Sequence, residues 1–161
     1  MTTDRPRLEL YVRSLLPDGA HERQEAAIER LDRLDENDDV SEYSVVVWGK
    51  QVAPETAAAR TREGEYILNR IAEFKQWALG NTVSLESFYQ ERRVDAPVTA
   101  EAHTAITLPV MGLAEYHGGE LTHVAPCTDG DTVHTVVERL EQLENGQTEP
   151  PTSPQDPIPT P

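Results

Sequence analysis

Four side chains in one C-terminal stretch are of the types that bind soft metals or move protons: His117, His123, Cys127 and His134. Zinc sites draw on such donors, but they hold them at recurring short spacings within each ligand pair, and these four match none of those patterns. The stretch reads better as unrelated positions on a hairpin tip, a strand, a loop and a helix, so no metal is expected. Cys127 with His123 or His134 would make a nucleophile and its base, and a thiol just before a helix start gains thiolate character. No third group orients that pair in the sequence. The plainer reading of Cys127 is a small buried hydrophobe, although it stays a candidate binding or reactive residue.

A second candidate is Trp48-Gly49-Lys50, at the end of a strand-like run. Ligands of α/β sheets gather beyond the carboxyl ends of parallel strands, which would put Trp48 and Lys50 beside a pocket. The competing reading makes Trp48 a core residue. The clusters Arg60-Thr61-Arg62 and Glu91-Arg92-Arg93 offer contacts to phosphate or to an acidic partner, against the alternative of pairing with nearby carboxylates on a solvated face. The glycines form neither a phosphate loop nor a dinucleotide fingerprint, and no cofactor is expected.

Composition narrows the setting. The 161 residues suit one domain able to bury a core without disulfides or metal. There are 29 acidic and 14 basic side chains, giving a net charge of −15, which disfavours nucleic acid because phosphate binding depends on Lys and Arg releasing counterions. Only Lys50 and Lys75 are lysines. In molar salt a Debye length of about 3 Å screens such a surface, so the acidic, lysine-poor balance suits a halophilic cytoplasm. The single Cys127 agrees with a reducing compartment, and there is no apolar signal core and no long apolar span to suggest secretion or membrane insertion.

The elements that would position these residues follow from periodicity. Leu8 to Leu16 alternates and is broken by Pro17-Asp18-Gly19, giving a strand. Ala20 to Asp35 repeats apolar residues at helical spacing. Tyr43 to Trp48 is a continuous β-favouring run, the pattern of a central strand covered on both faces. A second helix spans about Arg62 to Leu79 and stops at Gly80-Asn81. Val83 to Val94 is ambiguous between helix and strand, with Ser84 able to cap a short helix. Ala105 to Tyr116 and Glu120 to Ala125 form a hairpin across Gly118-Gly119, since glycine reaches the positive φ values of primed turns. Thr128 to Asp131 caps a last helix striped by Val133, Val136, Val137, Leu140 and Leu143 and ended by Asn145-Gly146. Six of the twelve prolines lie in Gln147 to Pro161, which predicts a disordered, extended tail after a single α/β domain of residues 1–146.

This order resembles the thioredoxin-like superfamily, most specifically in Leu108-Pro109-Val110-Met111-Gly112-Leu113-Ala114 followed by Gly118-Gly119-Glu120-Leu121 and the closing helix. The resemblance implies a βαβαββα three-layer sandwich with a mixed sheet, in which Pro109 matches the family's cis-proline and serves as a candidate binding residue. Redox members carry two cysteines at the start of the first helix; here Leu16-Pro17-Asp18-Gly19-Ala20-His21 stands there, which excludes their thiol exchange. Leu8 to Arg23 also resembles a group of small haloarchaeal proteins, some labelled helix-turn-helix, although paired helices around a short turn are not evident in the periodicity.

Three functions follow. The first is a non-enzymatic regulatory or adaptor domain that binds a protein partner, since a patterned fold comes without a catalytic constellation. The second is a helix-turn-helix DNA-binding transcription regulator, which would need a basic helix face that neither 20–35 nor 131–144 supplies. The third is an enzyme using Cys127.

Overall fold

A computed structural model describes residues 5–14, 21–54, 60–94, 103–149 and 151. The predicted tail, apart from its first residues, lies outside them, as do residue 20, where the first helix is expected to begin, and residues 95–102. The architecture is mixed α/β. β1 (Arg7–Val12), α1 (His21–Glu36) and β2 (Glu42–Val47) form a crossover unit in which β1 and β2 run parallel. β6 (Met111–His117) and β7 (Glu120–Ala125) form the hairpin, turned by Gly118 at φ 58 and Gly119 at φ 84. β6 pairs antiparallel with β1, so the sheet order is β2-β1-β6-β7. That is the order expected of one crossover unit plus a terminal hairpin. Helix α2 (Arg62–Asn81) packs on one face, whereas α1 and α3 (Val136–Glu144) pack on the other.

Burial explains the layers. Along β1, Leu8, Leu10 and Val12 join Ala27, Leu31, Leu34, Leu140 and Leu143 in one core, while Tyr11 joins Ile67, Ile71, Phe74 and Trp77 in the other. The central strand is therefore β1, and β2, expected to be central, is the sheet's edge and half exposed. The sequence pattern misleads because β1 buries a carboxylate on its α2 face. Glu9 is 2 % exposed and accepts hydrogen bonds from Arg7 at 2.7 Å, Arg70 at 3.1 Å and the Tyr11 hydroxyl. Desolvation raises its pKa, but the bonds from Tyr11 and Arg7 and the charge of Arg70 outweigh that and lower it overall.

Three further expectations change. Ala105 to Tyr116 is not one strand: Leu108-Pro109-Val110 interrupts it, leaving β5 (His103–Thr107) to pair with β3 (Gln51–Val52) and β4 (Glu91–Val94) in a separate small sheet. Proline lacks the amide that a continuous ladder would need. Ser84 starts no helix; it bridges Thr128, and its hydroxyl accepts from the Glu86 amide. The last helix begins late, because Cys127–Asp129 (β8) and Thr132–His134 (β9) form a small hairpin, and Thr135 rather than residues 128–131 caps Val136 onward. Helix α2 runs through Gly80-Asn81 and ends at Thr82, at φ 57. Beyond Gly146, the buried Arg139 donates to the carbonyls of Gln147 at 3.1 Å and Thr148 at 3.3 Å, and to Glu115 at 2.5 and 2.9 Å, so the start of the proline-rich segment is held against α3 and β6.

Candidate functional site

The carboxyl ends of β1 and β2 bring three of the candidate residues together. Trp48 is 4 % exposed, stacks on Tyr11 at 4.9 Å and meets Tyr89 edge-on at 5.9 Å. Its indole donates to the Pro109 carbonyl at 3.3 Å. It is thus a core residue that anchors the corner, not the wall of an open pocket. Lys50, exposed, follows it, and its carbonyl accepts from the Leu108 amide at 2.8 Å. Pro109 is brought beside both, but the cis bond expected there is absent: among the described residues the cis peptide is Ala125–Pro126.

Two arginines complete the corner. Arg13 leaves β1 and donates to the Leu108 carbonyl at 2.7 Å, while the Gln24 side chain ties the amide of Arg13 and the carbonyl of Ser14 to α1. Arg92 on β4 donates to the Gln51 side chain at 3.4 Å, next to Lys50. One run of hydrogen bonds through Leu108 and Gln51 therefore connects Arg13, Lys50 and Arg92, with Arg93 following on the same strand. Among the described residues none of these four cations makes an ion pair. Several other cations are paired, Arg30 with Glu141 and Glu144, Arg33 with Glu144, Lys75 with Glu91 and Arg139 with Glu115, whereas Arg23, Arg60 and Arg62 likewise make no ion pair among the described residues. Arg92 and Arg93 were named from sequence with carboxylate pairing preferred; Arg13 was missed, because nothing in Val12-Arg13-Ser14 shows that the chain folds back to Leu108. Thr61, between the other two clustered arginines, caps α2 through the Gly64 amide at 3.0 Å.

Cys127 does not join this corner. It is fully buried in the core that holds Trp48 and Tyr89, and burial, with the nearby Asp129 charge, pushes its thiol up to about 12. Such a thiol stays protonated at neutral pH, which disfavours the thiolate that a nucleophile needs. His123 is buried against the Trp77 ring at 5.6 Å and near His134 at 6.2 Å; His117 bonds the Thr122 hydroxyl at 2.7 Å. Among the described residues no His, Cys, Asp and Glu cluster has metal-holding geometry. A cavity of about 700 Å³ lies instead between α2 and residues 83–91, lined by Ala78, Leu79, Val83, Leu85 and Tyr89. No described helix is long and apolar enough to cross a membrane.

A family model described as a helix-turn-helix domain matches residues 1–148. No curated protein and no solved structure matches the chain, and the expected thioredoxin-like superfamily is not among the matches. Among the described residues no two consecutive helices are joined by a short turn: β2 and β3 separate α1 from α2, and six strands separate α2 from α3.

Proposed function

The chain belongs to the helix-turn-helix domain family over nearly its whole length, and from that premise we propose that it is a DNA-binding transcription regulator of the cytoplasm that touches phosphates through Arg13, Lys50, Arg92 and Arg93. The observation that carries this reading is the run of hydrogen bonds that links Arg13, Lys50 and Arg92, without carboxylate partners among the described residues, at one corner of a chain of net charge −15, with Arg93 next on β4. At physiological ionic strength a charge acts over a Debye length of about 8 Å, so carboxylates on distant faces are screened from a phosphate seated there. Local cations then decide contact, and β-strand readers of DNA are an established mode.

The test is a binding titration of labelled duplex DNA at about 0.1 M salt. Arg92→Ala/Arg93→Ala is expected to weaken binding about tenfold across all sequences, as loss of phosphate contacts does. Arg30→Ala, whose cation is already paired with α3, leaves it unchanged. Equal losses in the two variants, or no affinity in the parent protein, would reject the reading.

A protein-binding adaptor is the second reading, favoured by Leu79 standing 82 % exposed beside the cavity of α2. A large apolar side chain so open to water gains most from being covered by a partner.

A further inference from the structure

The outer edge of β2 is, among the described residues, an unprotected strand edge. Among the described residues its partner is β1 alone, on one side. The Trp48 amide bonds the Val12 carbonyl, so by alternation the backbone groups of Val46 and Ser44 face β1, and those of Tyr43, Val45 and Val47 face away. Natural sheets blunt such edges with lysine, proline, a bulge or an inward charge. Tyr43-Ser44-Val45-Val46-Val47 has none of these devices, the ladder to β1 is regular, and Val47 is 46 % exposed.

We infer that this edge joins a second copy of the chain, strand β2 pairing antiparallel with its equivalent across a two-fold axis near Val45 to make one eight-stranded sheet. The outward positions are self-complementary about that axis. Val45 meets the partner's Val45, and Tyr43 meets the partner's Val47, an aromatic and β-branched pair that stabilises adjacent strands. Glu42 is the only charge on β2. An antiparallel pairing sets the two Glu42 side chains at opposite ends, whereas a parallel one would set them side by side. A two-fold contact of this kind is closed, so it stops at two copies.

The geometry also bears on the DNA reading, and this part rests on it. Lys50 lies five residues beyond Val45, so the two cationic corners of the pair stand ~30 Å apart once the bend at Gly49 is allowed for, close to one turn of B-DNA at about 34 Å. The dimer itself does not depend on DNA and is tested without it.

Light scattering of the full chain after size exclusion, in molar salt to screen the net charge, is expected to give a particle of two chains. Val47→Pro removes an outward amide that bonds nothing among the described residues, and Val47→Lys places a charge on the edge; each is expected to give one chain with the parent's circular dichroism and a melting temperature that no longer depends on protein concentration. A parent protein that stays single across the concentration range overturns the inference. So does a two-chain particle that persists in Val47→Lys with its fold intact, which would place the contact elsewhere. Should Val47→Pro fail to fold, Val47→Lys alone decides. If DNA affinity is lost while the two-chain particle remains, the regulator reading fails and the edge pairing stands.

Discussion

His123 is held in its neutral form. Burial, the charge of Arg139 and the neighbouring His134 lower its pKa to about 3 from the ordinary 6.5. Above pH 6.5 both folded and unfolded chains carry it neutral, so it contributes no pH dependence there. Below 6.5 the unfolded chain takes a proton that the fold refuses, and stability falls as pH drops toward 3, by up to about 1.4 kcal/mol per unit. Urea unfolding midpoints measured between about pH 7 and pH 5 should fall in the parent protein and flatten in His123→Phe, which keeps an aromatic ring against Trp77. A parent midpoint that is constant over that interval would refute the assignment. Residue types alone marked His123 and Cys127 as chemical candidates, but the burial that keeps both neutral comes from strands far apart in sequence. Arg13 illustrates the reverse: its role depends on a carbonyl 95 residues away, and no local pattern announces that.

The elements were legible where periodicity is strong. α1, α2, the Gly118-Gly119 hairpin and the buried Val136, Leu140 and Leu143 of α3 follow from spacing and turn chemistry, whereas Val133 belongs to β9 and it and Val137 are exposed. The position of a strand within the sheet was not, because the valine run of β2 resembles a buried centre while the real centre, β1, conceals its burial behind Glu9. Short elements also escaped: β8 and β9 are three residues each, too brief for a period of two to show. The packing of β6 against the end of β2 is tight at Gly112, where an added Cβ would lie 2.7 Å from the Trp48 ring. That ring is fixed between Tyr11 and Tyr89 and cannot withdraw. Gly112→Ala is therefore expected to destabilise the fold by about 1–3 kcal/mol, as overpacking does. A melting temperature unchanged from the parent's would show that the corner is looser than described.

For the whole molecule, composition foretold an acidic chain and argued against nucleic acid, and the proposed regulator reading sets against that the family match and the cationic corner. The net charge is a sum over all faces, but contact is local. Six of the twelve arginines pair with carboxylates among the described residues, and of the other six Arg13 and Arg92 are tied into the corner where β1 and β2 end. Such a distribution is invisible in a charge count, since pairing is decided by tertiary neighbours such as Glu144 for Arg30. The most direct measurement is the salt dependence of duplex DNA affinity in the parent protein and in Arg92→Ala/Arg93→Ala. Each phosphate contact contributes a slope of about −0.9 to log affinity against log salt. The account predicts a parent slope of roughly −3 to −4, made shallower by about 2 in the variant. A parent slope near zero, or one that the double substitution leaves unchanged, would contradict it.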